Sequence, residues 1–278
     1  MEQMTQVTHR YLRTKKKFPS VWCSGCGIGI VFGAIIRAVD NLKLGKDQIA
    51  MVSGIGCSSR MPVYADFNTL HTTHGRALAF ATGVKLAKPE LHVIVITGDG
   101  DGLAIGGNHF IHSARRNIGI TTILLNNNTY AMTGGQYSPC TPFDKFGTTA
   151  PFGNVERSFD PCDLAKGSGA VFVARGTTYH VIQLQKLVEK AIMKRGFSLV
   201  EVVCHCSTIY GRLNREGTAV KMMEWQRDHA VSIQAAQRMS PEKLRDKFLT
   251  GVLWDIEFPE YCEEYEKVIK RAQGKVNL

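Results

Sequence analysis

The sequence predicts an α/β fold: a mostly parallel sheet with helices on both faces. Three observations carry this. Short runs rich in β-branched residues, such as "LHVIVI" at 91–96, alternate with longer stretches of helical spacing. The strand runs are apolar along their length, as strands covered on both faces are. Glycine, aspartate and asparagine cluster directly after strands, where open parallel sheets hold their ligands.

In chain order, "IGIVFGAIIRAVDNL" (28–42) has helical spacing and "IAMVSGI" (49–55) is a strand ending at glycine. "GRALAFATGVKLAKPE" (75–90) is a helix stopped near Pro89, and "LHVIVITG" (91–98) is a strand. "LAIGGNHFIHSARRN" (103–117) reads as a helix despite its glycines, and "GITTILLNN" (119–127) as a strand. A short helix at "PCDLAKGSG", a strand at "AVFVARG", a long helix over 177–196 and a last strand at "FSLVEVVCH" complete the series. The expected organisation is a basic tail (1–19), one domain (20–206) and a C-terminal extension (207–278). The extension is more polar and reads as loop and helix that wraps or docks.

The 278 residues are 44% hydrophobic and 21% charged, ordinary globular composition with length enough for a sizeable core. The longest apolar run, Ile28–Ile36, is too short to span a bilayer. The first residues lack an apolar segment of signal-peptide type, so a cytoplasmic protein without membrane attachment is expected. The net charge of +10, with Lys15, Lys16 and Lys17 in a row, suits an acidic partner or a solvated tail. No helix-turn-helix, zinc-finger or aromatic RNA-binding signature accompanies it, which speaks against nucleic acid.

"TGDGDG" (97–102) ends one strand and "NNNTY" (126–130) ends the next. Gly98 and Gly100 allow a tight turn and close backbone approach to a ligand. The next helix directs free N–H groups and partial positive charge at that point, which suits a phosphate. Asp99 alone opposes one, by roughly 4 kcal/mol for unit charges about 4 Å apart at an effective dielectric near 20. A divalent cation between them reverses the sign. Mg²⁺ takes oxygen ligands in an octahedron. Asp99 offers a carboxylate, Asn127 an amide oxygen and Thr129 its backbone carbonyl. The plain alternative is that Asp99 and Asp101 cap the next helix and the asparagines make turns. The pairing of Asp99 with Asn127, one helix and one strand later, favours a metal-diphosphate site.

Eight cysteines occur in a chain that does not need disulfides. Cys23 and Cys26 form a Cys-x-x-Cys pair among glycines, and Cys57 ends a strand. Thiolates of this kind suit zinc and iron–sulfur clusters alike, and spacing does not separate the two. Cys204 and Cys206 face the same side of an extended strand. Cys140, Cys162 and Cys262 lack neighbours at ligand spacing and read as packing residues. His74 precedes a helix, where a neutral imidazole donates to phosphate or substrate. His109 and His112 pack or face solvent, and Arg76 is a helix-end charge or an ion-pair partner.

"GDGDGLAIGGNHFIHSARRNIGITTILLNNNTYAMTGGQ" resembles the thiamine diphosphate motif, which runs from GDG to a closing Asn. More closely, it is similar to the β subunit of 2-oxoacid:ferredoxin oxidoreductases, above all the 2-oxoglutarate type. The likeness takes in "WCSGCG", "GIGCSSR", "HTTHGRALAFATGVKLA", "TGGQYSP" and "LVEVVCHCST", roughly residues 20 to 210. It implies thiamine diphosphate, with Mg²⁺ on Asp99, Asn127 and the Thr129 carbonyl. Gly98, Gly100 and His74 then lie against the diphosphate, and His74 is the candidate catalytic group. Cys57, Ser58, Asp101 and Thr133 complete the cofactor surroundings. It also implies one [4Fe–4S] cluster on Cys23, Cys26, Cys57 and Cys206, the last preferred over Cys204 because relatives place the fourth ligand just before a Ser/Pro-Thr pair. Some relatives carry a lysine where this chain has Gly134, so a lysine contact to a substrate carboxylate does not transfer.

The implied reaction is coenzyme A-dependent oxidative decarboxylation of 2-oxoglutarate to succinyl-CoA and CO₂, or its reverse, with electrons passing through the cluster to ferredoxin; the same reaction on pyruvate or a branched-chain 2-oxo acid is the alternative. The chain contains one α/β series. The implied partners are therefore an α subunit carrying the pyrimidine-binding domain with its activating glutamate, in an (αβ)₂ assembly, and ferredoxin, whose acidity would suit the positive charge. A non-redox thiamine decarboxylase or carboligase subunit leaves the cysteines idle. A zinc-stabilised, non-catalytic subunit is the remaining alternative.

Overall fold

The computed structural model describes residues 7–15 and 19–274. Lys16 and Lys17 of the basic run lie outside them, as do residues 1–6 of the tail.

Eight strands form one sheet: β1 (Ile49–Ser53), β2 (Asn68–His71), β3 (His92–Gly98), β4 (Ile120–Asn126), β5 (Phe172–Thr177), β6 (Ser198–Val203), β7 (Ala230–Ser232) and β8 (Phe248–Asp255). Their order is β2-β1-β3-β4-β6-β5-β8-β7. The first six pair in parallel, and β8 joins β5 antiparallel. The helices are α1 (Ile28–Asn41), α2 (Ala77–Ala87), α3 (Gly107–Arg115), α4 (Pro161–Gly167), α5 (Val181–Met193), α6 (Ala219–His229) and α7 (Tyr261–Ala272), besides single turns.

Alternate residues of the strands feed two cores. Ile94 and Ile96 of β3 pack with Ile35, Leu184 and Val188, under α1 and α5. Val93 and Val95 pack with Leu78, Ala81, Phe110 and Ala165, under α2, α3 and α4. This is the period-two alternation of a strand buried on both sides. None of the described helices is long and apolar enough to cross a membrane.

The chain leaves β1 for β2 on one side and then enters β3 on the other, so the strand order switches between β1 and β3. Their carboxyl ends carry "GIGCSSR" and "GDGDG", and β4 and β6 end in the asparagine turn and "CHC". The switch point of an open parallel sheet is its natural ligand crevice.

The structure departs from the sequence reading in three places. The helix expected over 103–117 begins as a π-turn, Gly100–Ile105, and becomes regular only at Gly107. π-turns widen the backbone and recur at functional sites. The edge strand β2 has no counterpart in the sequence pattern, because its residues are mostly exposed and lack apolar alternation. The C-terminal extension, read as loop and helix, adds β7 and β8 to the sheet of the main domain, with Gly251 of β8 at positive φ. The glycine breaks the apolar pattern by which β8 would have been recognised.

Candidate functional site

A cavity of about 170 Å³ opens at the switch point, lined by Cys57, Ser58, His74, Gly98, Asp99, Gly100, Asp101, Asn127, Thr129 and Thr133, with Tyr130 and Cys204. Every residue assigned to the cofactor from sequence borders this one space.

Asp99 is 1% exposed. Burial pushes its carboxyl up to about 7, against the pull of a hydrogen bond from Ser138. Ser138 Oγ donates to Asp99 Oδ2 at 2.5 Å. Beside Asp99, one end of the Asn127 amide stands 2.8 Å from the Thr129 carbonyl oxygen and 3.2 Å from Asp99 Oδ1. Two arrangements satisfy this trio. Without a cation, the amide nitrogen takes that position and donates to both oxygens. With one, Asn127 Oδ1 takes it. Neighbouring oxygens of an octahedron with bonds of about 2.0–2.1 Å lie about 2.9 Å apart, and the two observed spacings fall on either side of that value. Carboxylate, amide and carbonyl thus fit Mg²⁺ at the wall of the cavity.

Asp101 does not cap its own helix, contrary to the capping expectation. Its Oδ1 stands 2.6 Å from His74 Nδ1 and accepts from Gly75 N at 2.8 Å and Ile55 N at 3.2 Å. Its Oδ2 accepts from Thr97 Oγ1 at 2.8 Å. One buried carboxylate therefore joins the loops after β1, β2 and β3. It also fixes the His74 ring, which lines the cavity, and leaves Nε2 without a part in that contact. Removing it strands two backbone donors. Asp101→Ala is expected to lower unfolding stability by about 2–3 kcal/mol, read by denaturant titration.

Glycine is required at two points here. A Cβ on Gly100 would lie 2.2 Å from the Tyr130 ring, whose hydroxyl donates to the Gly100 carbonyl at 3.1 Å. Gly75 has φ +70°, and a Cβ there would strike Ile105 and the Gly106 amide.

A second cavity, about 240 Å³, adjoins the first. Cys23, Cys26, Cys57 and Cys206 all line it, with Trp22, Ile28, Asn127, Ala131 and Met132. Burial, opposed by a backbone hydrogen bond at Ile28 and aided by the neighbouring cysteines, pushes the Cys26 thiol up to about 12; burial, then Cys206, pushes Cys57 up to about 11. Four thiols converging in a half-buried space fit a metal cluster, whose positive charge makes thiolates favourable there. Cys204 is 2% exposed and borders the cofactor cavity rather than this one. Cys140, Cys162 and Cys262 are buried and line neither cavity, and Cys140 stands behind Asp99, its amide donating to Ser138 Oγ at 3.3 Å.

Asp160, Cys162 and Glu201 bring ligand atoms within 4.8 Å of one another. Arg175 occupies that space: its Nε donates to Glu201 Oε2 at 2.6 Å and its Nη2 to both Asp160 oxygens at 2.6 and 2.7 Å. The group is an ion network, not a metal site. Asn126 Nδ2 donates to Glu201 Oε1 at 2.9 Å, so the network braces the asparagine turn.

Arg76 donates to His109 Nε2 at 2.8 Å and the Ile105 carbonyl at 3.4 Å rather than to a carboxylate. Thr133 Oγ1 donates to Gln136 Oε1 at 2.6 Å at the cavity mouth. Sequence reasoning missed Ser138 and Tyr130. Only the turn residues of "QYSPCTP" hinted at the first, and nothing in the pattern marked the second.

Residues 48–202 match the family model described as thiamine pyrophosphate enzyme, C-terminal TPP binding domain. The chain is 48% identical over 266 residues to 2-oxoglutarate synthase subunit KorB of Methanocaldococcus jannaschii, covering 96% of this chain and 98% of that protein. It is 36% identical over 239 residues to the 2-oxoacid:ferredoxin oxidoreductase subunit beta of Saccharolobus solfataricus, covering 85% of this chain and 77% of that one. The chain belongs to the 2-oxoacid:ferredoxin oxidoreductase β-subunit family. Among solved structures, this β subunit is similar to a chain of 2-oxoglutarate:ferredoxin oxidoreductase from Magnetococcus marinus, determined with 2-oxoglutarate, coenzyme A and succinyl-CoA bound. The TM-score is 0.85 at 32% identity, with 98% of this chain and 92% of that one covered. As a β subunit of an oxidoreductase, it works with other subunits.

Proposed function

We propose that this β subunit holds the diphosphate, Mg²⁺ and [4Fe–4S] half of a cytoplasmic 2-oxoglutarate:ferredoxin oxidoreductase. The observation that carries the reading is the shared wall. Ile28, Cys57, Asn127, Ala131 and Met132 line both the cavity with the oxygen trio and the cavity with the four cysteines. An electron leaving one space enters the other without crossing a third. A non-redox thiamine enzyme has no use for that adjacency.

Thiamine diphosphate, when bound, supplies the carbanion that attacks the 2-oxo carbon and the electron sink that accepts the pair as CO₂ leaves. The chain's own residues do the rest. Asp99, Asn127 and the Thr129 carbonyl hold Mg²⁺, which neutralises the diphosphate charge. Gly98 and Gly100 let the backbone approach it, and Ser58 and Thr133 border the same space. His74, oriented by Asp101, offers Nε2 for a proton at the diphosphate or the substrate. Cys23, Cys26, Cys57 and Cys206 hold the cluster.

The proposed partners are an α subunit supplying the pyrimidine-binding domain and its glutamate, in an (αβ)₂ assembly, and ferredoxin, with coenzyme A accepting the acyl group. The test is purification with the co-expressed partner subunit under nitrogen, then a panel of 2-oxo acids with coenzyme A and an artificial electron acceptor. Fastest turnover on 2-oxoglutarate supports the reading; fastest turnover on pyruvate or a branched-chain acid reassigns the substrate. For the cluster, Cys206→Ala is expected to lose most bound iron and Cys204→Ala to keep it, read by iron analysis and absorbance near 400 nm. The reverse pattern moves the fourth ligand to Cys204, and zinc in place of iron removes the redox role.

A further inference from the structure

The C-terminal extension reaches the cysteine cavity through a chain of buried polar groups. Gln226 lies on α6 and is 1% exposed. Its Oε1 accepts from Thr178 Oγ1 at 2.9 Å and from Tyr179 N at 3.0 Å, while its Nε2 donates to the Val203 carbonyl at 3.2 Å. The amide is thereby fixed in one orientation. Thr178 Oγ1 also stands 3.0 Å from His205 Nδ1, so its one hydroxyl proton is shared between that nitrogen and Gln226 Oε1. His205 Nε2 stands 2.7 Å from the Gly25 carbonyl, which only accepts, so that nitrogen carries a proton. Gly25 is inside the Cys23–Cys26 turn.

The turn is also backed sterically. Gly25 has φ +76°, and a Cβ there would lie 2.9 Å from the Ala219 Cβ, at the first residue of α6. A Cβ on Gly27 would meet Cys204 Sγ at 2.9 Å and both His205 Nδ1 and Thr178 Cγ2 at 3.0 Å. The turn that presents two of the four thiols is therefore pressed onto α6 at one end and hydrogen-bonded to it, through two side chains, at the other.

We propose that His205, Thr178 and Gln226 are positioning residues for the cluster, through which α6 of the C-terminal extension holds the Cys23–Cys26 turn closed over it. This rests on the four-cysteine reading above. None of the three is a ligand; each acts through the Gly25 carbonyl. Hydrogen bonds one step behind a metal's ligands govern how tightly it is held, and solvent access to a cluster changes its electronic properties.

The test uses the complex prepared without oxygen, with Thr178→Val and Gln226→Met, both close in volume to the native residue. Thr178→Ser keeps the hydroxyl and serves as the rescue. Iron content is expected at the wild-type level in all. Iron loss to a chelator is expected to be roughly tenfold faster in Thr178→Val and Gln226→Met, with an altered paramagnetic resonance line shape of the reduced cluster. Thr178→Ser is expected to match wild type in both readouts. The double variant is expected to be no worse than Thr178→Val alone, because one broken link opens the chain. Wild-type chelation rate and line shape in both single variants overturn the relay while leaving the cluster reading intact. A wild-type complex that binds no iron overturns both. If one variant fails to fold, the other decides on the same two readouts.

Discussion

Asp99→Asn is expected to abolish Mg²⁺-dependent binding of thiamine diphosphate and to lower turnover of the assembled enzyme by about 10³-fold or more. The estimate follows from losing a metal's electrostatic contribution of several kcal/mol. The substitution keeps the shape and retains an oxygen for the Ser138 hydroxyl, so the protein is expected to fold. Its second consequence separates charge from structure. Burial holds the folded-state pKa of Asp99 at about 7, above its ordinary value of 3.8. The folded, metal-free protein therefore binds more protons than the unfolded chain between those values. Its stability falls as pH rises through that window, and the loss is complete above about 7. Asp99→Asn removes this component: at pH 8 the metal-free variant is expected to be more stable than wild type, and at pH 4 the two converge. Denaturant titration at both values measures the difference. Equal gaps at pH 4 and pH 8 would mean that Asp99 carries no such penalty. Unchanged cofactor binding, followed by calorimetry, would remove it from the metal site.

Arg175→Met is expected to destabilise the fold by about 3–5 kcal/mol, the cost of leaving a buried carboxylate without its partner. Glu201 is 2% exposed in β6, between β4 and β5. Its remaining contacts are Asn126 Nδ2 and the weakly donating Cys162 thiol at 3.2 Å. Thermal or denaturant unfolding checks the magnitude. Partial burial raises the Asp160 carboxyl and the Arg175 guanidinium lowers it, and the net value is below the ordinary 3.8. That contribution is present above pH 3.8 and is lost as pH falls through the folded-state value, so the gap between wild type and Arg175→Met is expected to narrow in acid. Because the network also braces Asn126, cofactor affinity is expected to fall with stability. The double substitution Arg175→Met, Glu201→Leu removes both charges and is expected to recover part of the stability but not the bracing of the turn.

The sheet and the grouping of Asp99, Asn127 and Thr129 were legible because they depend on local chemistry repeated in sequence. Apolar strand runs announce β3 and β4, and glycine with aspartate or asparagine announces the ligand-bearing turns at their carboxyl ends. The cysteine set was legible by resemblance, and Cys206 rather than Cys204 borders the cavity of the other three. Asp101 was not legible beyond its proximity to the cofactor. Its partners are His74, Gly75, Ile55 and Thr97, three of them on other loops, and no spacing rule links an aspartate to donors on neighbouring strand ends. Ser138 was missed for the same reason. β8 escaped because a strand that runs antiparallel to β5, with an internal glycine and a half-exposed face, lacks the continuous apolar signature of the parallel strands.

The wall between the two cavities has a thermodynamic consequence. Ile28, Cys57, Asn127, Ala131 and Met132 each present atoms to both spaces, so no displacement of these side chains is private to one of them. Binding equilibria that bias the same residues are reciprocal: whatever factor one occupant imposes on the affinity of the other, it receives in return. Under the proposed function, any coupling between the occupants of the two chambers therefore runs through these five residues and is felt equally from either side.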